Sequence, residues 1–356
     1  MHRATGIDHR GIALGSDLEK LFPPDAPGPG TGVRAAAYDR LASALVVPAA
    51  QRALAAAACP ADQITHLVTV SCTGGSAPGF DMDIIDGVSL GSNVARTHIG
   101  FMGCHGALNG VRVAAAFTAA DPAANVLLCA VEVCSVHYAV GHEPQGIVAN
   151  ALFADGAAAM VVRAGDGQAS IDASTGDWVI AAHGSQILPN TRDHMSWRIG
   201  DSGFVMTLDP RVPATIERAI GRWIDEWLAT SELARSDIDH WVVHPGGPRI
   251  LDAVERGLEL PPGALDGSRA VLRAHGNMSS PTVFFELAGM VATPPPGVGI
   301  ETESPVQEPV KRDARSRTVV LGFGPGLAIE ACRLERAIDS ADDSADDSAD
   351  ELAGDQ

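Results

Sequence analysis

Gly-Phe-Met-Gly-Cys-His-Gly-Ala-Leu-Asn-Gly, residues 100–110, sets a cysteine where an apolar strand turns abruptly into a helix. Residues 96–102 read as the strand, and residues 105–120, alanine-rich and apolar nearly all round, read as a buried helix. A thiol at the head of such a helix meets backbone N–H groups and the positive end of the helix dipole. Both favour thiolate over thiol, which makes Cys104 the candidate nucleophile. The flanking Gly103 and Gly106 are expected to let a substrate approach the backbone closely. The plainer reading of Cys104 is a buried, inert thiol at a strand end.

Outward from this stretch, apolar strands and helical segments alternate. Residues 64–72 read as a strand, and 125–134 and 156–162 are apolar runs suited to central strands. Residues 210–228 form an amphipathic helix with Trp223 and Trp227 four apart on one face, read as core packing rather than a ligand platform. Residues 318–333 hold two strands around a glycine-rich turn at 322–326. This is the pattern of a layered α/β fold. Asp-His-Trp-Val-Val-His-Pro-Gly-Gly-Pro (239–248) is a short strand stopped by Pro245, which leaves His244 at its C-terminal end. His-Gly-Asn-Met-Ser-Ser-Pro (275–281) places Asn277 just before a helix, with Ser279 or Ser280 as N-cap and Pro281 in the first turn. Cysteine, histidine and asparagine, each at the mouth of an element, make a candidate acyl-transfer set whose spatial distances sequence order leaves open. Taken singly, His244 is also readable as a satisfied strand-end histidine and Asn277 as a turn residue.

At 356 residues the chain can bury a large core, with two domains or one duplicated fold as the prior. Its 25 basic residues against 44 acidic ones give a net charge of -19, which argues against nucleic acid as a partner. Part of the excess lies in the repeat Ser-Ala-Asp-Asp, Ser-Ala-Asp-Asp, Ser-Ala-Asp-Glu (340–351), read as a disordered, solubilising tail. No stretch has the length or apolarity to span a bilayer, so no membrane insertion and a cytoplasmic location are expected. The six cysteines show no metal-ligand spacing, so no metal is expected. Cys59, Cys72, Cys129 and Cys332 are read as small hydrophobes.

The chain resembles the type III polyketide synthases, the chalcone- and stilbene-synthase-like branch of the thiolase superfamily, from about residue 5 to 334. The resemblance is carried by Ile-Thr-His-Leu-Val (64–68), Gly-Cys-His-Gly-Ala (103–107), Ala-Leu-Phe-Ala-Asp-Gly-Ala-Ala-Ala (151–159), His-Pro-Gly-Gly-Pro (244–248), Gly-Asn-Met-Ser-Ser (276–280) and Gly-Phe-Gly-Pro-Gly (322–326), in that order. It implies two similar αβα halves stacked in layers: residues 1–185 with the nucleophile, 186–338 with His244 and Asn277, and the acidic tail at 339–356. An opening strand and helix, which in the family bring basic residues to the phosphates of coenzyme A, precede the segment resembling 3–10 and are absent here. An upstream start codon is the expected reason.

The resemblance further implies a Cys104–His244–Asn277 triad and a gatekeeping Phe153, whose plainer reading is a core aromatic. A second gatekeeper falls on Phe204 or Met206. Cys134, His137, Trp197 and Ser279 are implied in the cavity wall, with His137 and Trp197 narrowing or polarising it. Arg3, Gly246, Gly247 and Arg249 are assigned to CoA binding, and His105 to structure. The implied reaction loads an acyl-CoA starter on Cys104 and extends it with malonyl-CoA by decarboxylative condensation, then cyclises to an aromatic or pyrone product. No cofactor is required. A homodimer is implied, but Ala77 stands where the family's methionine reaches into the neighbouring cavity. Two alternatives stand beside this: a ketoacyl synthase III-like enzyme fed by acyl carrier protein, which would want a basic docking patch, and a catalytically impaired thiolase-fold partner subunit. Residues 292–316 are expected to form a long exposed loop.

Overall fold

A computed structural model describes residues 5–23, 28–141, 143–165, 168–171, 178–292 and 315–337. The expectations for Arg3, for nearly all of the 292–316 loop and for the acidic tail lie outside the described residues. The first half runs α1 (Asp17–Leu21), α2 (Thr31–Ala56), β1 (His66–Ser71), α3 (Phe80–Val88), β2 (Ala95–Gly100), α4 (Gly106–Ala120), β3 (Asn125–Val133), α5 (Pro144–Leu152), β4 (Asp155–Gly165) and β5 (Gln168–Ile171). The second runs β6 (Trp178–Ile187), β7 (Met195–Gly200), β8 (Gly203–Leu208), α6 (Val212–Ala229), β9 (His240–Val243), α7 (Pro248–Gly257), α8 (Asp266–His275), α9 (Thr282–Ala292), β10 (Arg315–Gly324) and β11 (Ala328–Ala337).

One nine-stranded sheet runs β2-β1-β3-β4-β5-β6-β11-β10-β9, with β7 and β8 forming a separate hairpin. The two halves repeat a pairing scheme. In the first, β1 is parallel to β3, β3 antiparallel to β4 and β4 antiparallel to β5. In the second, β9 is parallel to β10, β10 antiparallel to β11 and β11 antiparallel to β6. The halves meet through the short β5–β6 pairing.

The apolar runs of the central strands follow from burial on both faces. Val126, Leu128 and Ala130 of β3 pack with Val68 and Val70 of β1 into a central core, together with Ala107, Leu108, Val111 and Ala114 of α4. Val242, Val320 and Cys332 from the second half close the same core, as do Val283, Phe284 and Leu287 of α9. The alternate residues Leu127, Cys129, Val131 and Val133 face away, onto α2 and α3. Val319, Leu321 and Phe323 of β10 do the same toward α6, α7 and α8. The two halves of the sheet therefore face each other across α4, with further helices on their outer faces. On α6 the buried stripe is Val212, Ile216, Ile220, Ile224 and Leu228. Trp223 and Trp227, stacked at 6.1 Å, flank that stripe rather than form it.

Candidate active site

After β2 the chain reverses through Phe101, whose φ of 57° is left-handed, into a single 3-10 turn, Gly103–His105, that leads straight into α4. The neighbouring glycines make room for protein, and Gly103 also lines a small chamber beside Cys104. A Cβ on Gly103 (φ +75°) would stand 2.5 Å from Pro325, and one on Gly106 would stand 2.9 Å from Val70. The turn is thus pressed between β1 and the Gly322–Gly326 hairpin, which fixes where Cys104 points. His105 lies under that hairpin, bonded through Nδ1 to Asn109 Oδ1 at 2.8 Å. Any side chain on Gly324 would overlap its ring.

His244 follows β9 and is tied by its N–H to Leu321 O at 2.8 Å. It is buried, yet neither ring nitrogen has a protein partner. Asn277 follows α8 through Gly276, whose left-handed φ of +74° lets the backbone pass Arg10 and Ala154. Its N–H donates to Leu152 O (3.0 Å) and its C=O accepts from Ala154 N–H (2.8 Å), so it brackets Phe153. Asn277 Oδ1 accepts the Ser279 N–H at 2.8 Å, which turns the Nδ2 donors the other way; one reaches toward Gly246 O at 3.4 Å. Ser279, at φ 58°, hydrogen-bonds the Cys104 sulfur, while Ser280 Oγ donates to Glu132 at 2.6 Å.

Cys104, His244 and Asn277 line one cavity of about 310 Å³, together with Gly246, Gly247 and Arg249. A small chamber of about 40 Å³ is walled by Cys104, Ser279, Cys72, Cys134 and Trp197. A third cavity, of about 760 Å³, is lined by Cys134, His137, Trp197 and Phe204. Phe153 and Met206 line all three, whereas Phe204 lines only the largest. Cys72 was read as a small hydrophobe, but it stands in the chamber wall and its sulfur accepts the Gly103 N–H at 3.0 Å. His137 has no nitrogen free. Nε2–H donates to Thr73 O (2.7 Å) and Nδ1 accepts the Phe204 N–H (3.1 Å), so the ring, stacked on Phe204 at 4.2 Å, narrows the cavity instead of polarising it.

Burial opposes the expected thiolate. Burial pushes the Cys104 thiol up to about 11, with hydrogen bonds from Ser279 and Asn277 opposing only in part and the Glu132 charge adding to the rise. Burial, aided by His105, pushes the His244 imidazole down to about 3. Desolvation by burial thus disfavours charge on both partners and works against the helix dipole.

The sequence reading missed Glu132, a fully buried carboxylate on β3 that accepts N–H groups of Cys72 (3.0 Å) and Thr73 (3.1 Å) and the hydroxyls of Thr73 (2.7 Å) and Ser280 (2.6 Å). It fastens the loop after β1 to the loop carrying Asn277. Its one sequence signal is an acid inside an apolar strand, Val131-Glu132-Val133. Among the described residues, no group of His, Cys, Asp or Glu side chains is arranged to hold a metal ion.

Residues 32–166 match the family described as chalcone and stilbene synthases, N-terminal domain, and residues 179–338 match its C-terminal domain. The chain is 34% identical over 331 residues to 1,3,6,8-tetrahydroxynaphthalene synthase of Streptomyces peucetius, covering 93% of this chain and 81% of that protein. It is 32% identical over 286 residues to the alpha-pyrone synthesis polyketide synthase-like Pks18 of Mycobacterium tuberculosis, covering 80% of this chain and 68% of that one. The crystal structure of the 1,3,6,8-tetrahydroxynaphthalene synthase of Streptomyces coelicolor, a bacterial type III polyketide synthase, superposes with a TM-score of 0.80 at 31% identity over 94% of this chain and 88% of that one. Enzymes of this kind act on CoA thioesters without a cofactor. The chain belongs to the chalcone and stilbene synthase family and is a type III polyketide synthase with the thiolase-like layered fold.

Proposed function

We propose that Cys104 carries the growing chain, that His244 and Asn277 serve both half-reactions, and that Phe153 and Met206 gate the passage between the 310 Å³ and 760 Å³ cavities. The observation that carries this reading is that Cys104 belongs at once to the chamber beside the large cavity and to the cavity holding His244 and Asn277. An acyl-CoA enters past Gly246, Gly247 and Arg249. His244 takes the thiol proton as the sulfur attacks the carbonyl; the new C–S bond replaces the bond to CoA, whose thiolate leaves with that proton. Burial disfavours charge on both thiol and imidazole, so proton transfer to His244 accompanies the attack. Malonyl-CoA then follows. Loss of CO₂ leaves an enolate whose oxygen is held by Asn277 Nδ2–H and His244 Nε2–H, and its carbon attacks the Cys104 thioester and expels the sulfur.

The chain extends into the 760 Å³ cavity, under the aromatic wall of His137, Trp197 and Phe204. Likeness to the pyrone and tetrahydroxynaphthalene enzymes supports a pyrone or hydroxylated aromatic product. We draw the join between the halves ahead of β6, which a boundary at 185/186 would cut. We place the enzyme in the cytoplasm, where its free thiols stay reduced; no described helix is long and apolar enough to cross a membrane. We further infer a homodimer. β2 is an edge strand of the sheet, and Phe101, Met102 and Met82 are exposed beside it.

Incubation with labelled malonyl-CoA and a panel of acyl-CoA starters tests the assignment. The expected result is CO₂ release with starter-dependent products, and no chain extension by Cys104→Ala. Undiminished polyketide from that variant would reject it.

A further inference from the structure

The large cavity holds a charge that the condensation chemistry does not use. Arg34, in the first turn of α2, is 2% exposed and lines that cavity. Nε donates to Pro29 O (2.8 Å), and Nη1 donates to Val136 O (2.9 Å) and Tyr138 O (2.9 Å). The guanidinium lies 4.7 Å from the centroid of the Phe22 ring. Among the described residues no carboxylate pairs with it, and Nη2 has no protein acceptor. Arg10, on the same wall, differs in having Asp155 as a countercharge.

Glycine makes room for the guanidinium itself in the cavity wall. A Cβ on Gly28, itself in the cavity wall, would stand 2.6 Å from Nη2, and one on Gly203 (φ +98°) would stand 3.0 Å from Nε and Nη1. His137 is held neutral by burial and has both nitrogens occupied, so it neither competes for an anion nor supplies one. Three carbonyls satisfy donors but bring no counter-ion, none of the described carboxylates pairs with the charge, and a buried cation without a counter-ion is costly. An anionic oxygen on Nη2 would complete the site with a charge-assisted hydrogen bond.

We propose that Arg34 determines starter specificity, and that the large cavity takes an acyl chain whose far end bears a carboxylate seated on Arg34 Nη2. This rests on Cys104 being the acylated residue.

The test loads wild type, Arg34→Gln and Arg34→Lys with CoA thioesters of ω-carboxyl acids from succinyl to suberyl and with neutral acyl-CoAs of matched length, reading acyl-Cys104 by intact-protein mass. At the chain length that reaches Arg34, wild type should favour the carboxylate by roughly 10- to 100-fold, the worth of a charge-assisted hydrogen bond. The preference should vanish in Arg34→Gln and survive in part in Arg34→Lys. Equal loading of charged and neutral chains at every length in wild type overturns the proposal whatever the variants do, and so does a preference that persists in Arg34→Gln. Equal loading leaves the role of Cys104 standing, whereas no acyl-enzyme with any thioester removes that role and this proposal with it.

Discussion

At Cys104 burial raises the thiol in spite of the hydrogen bonds from Ser279 and Asn277. Alkylation by iodoacetamide should therefore accelerate about tenfold per pH unit across neutrality, with no plateau before the thiol's value of about 11. A plateau near pH 6 would reveal a resting ion pair instead. In the proposed mechanism Asn277 acts through Nδ2, since its Oδ1 is held by Ser279. Asn277→Ala should lower kcat for condensation by ~10²–10³ while leaving acylation of Cys104 less affected, as a burst experiment would resolve. Both residues, like His244, are singled out in the sequence by chemical type at element ends, and the cavity that all three line supports their proposed roles. Glu132 and the chamber position of Cys72 did not, because their roles come from partners some sixty residues away, as in the bonds from Cys72 and Thr73 to Glu132.

Among the elements, the nucleophile turn and the β10–β11 hairpin were legible from glycine and proline punctuation, and the central strands from unbroken apolar runs. The 26-residue α2 was not read, because its many alanines give little facial contrast. A pairing between helices supplies a pH-dependent contact. Ser268 of α8 receives the Val243 N–H (3.0 Å) and donates to Glu286 of α9 (2.8 Å), and burial raises Glu286 to about 8. The folded state thus keeps a proton that the unfolded chain gives up near 4.5. That contribution is whole below the unfolded value and is lost as pH rises toward 8, by as much as ~4 kcal/mol. Glu286→Gln should flatten the fall in Tm between pH 5 and pH 8 and raise Tm at the alkaline end. Parallel Tm–pH curves for variant and wild type would count against the assignment.

For the molecule as a whole, α4 in the central layer brings Cys104 from the first half to His244 and Asn277 of the second, and the cavities share their walls at Phe153 and Met206. The second copy of the chain is expected on β2, where Phe101 is 48% exposed at a sheet edge. Light scattering should give a dimer for wild type and a shift toward monomer for Phe101→Glu; a monomeric wild type would end that reading. The sequence by itself determined the layered α/β class, the family and the chemical types at the three element ends, because periodicity, turn residues and motif order are local properties of the chain. Only the tertiary structure decided that burial disfavours charge on thiol and imidazole, that His137 has no free nitrogen and that a buried guanidinium faces the 760 Å³ cavity. Each depends on solvent exclusion and on hydrogen-bond partners far away along the chain.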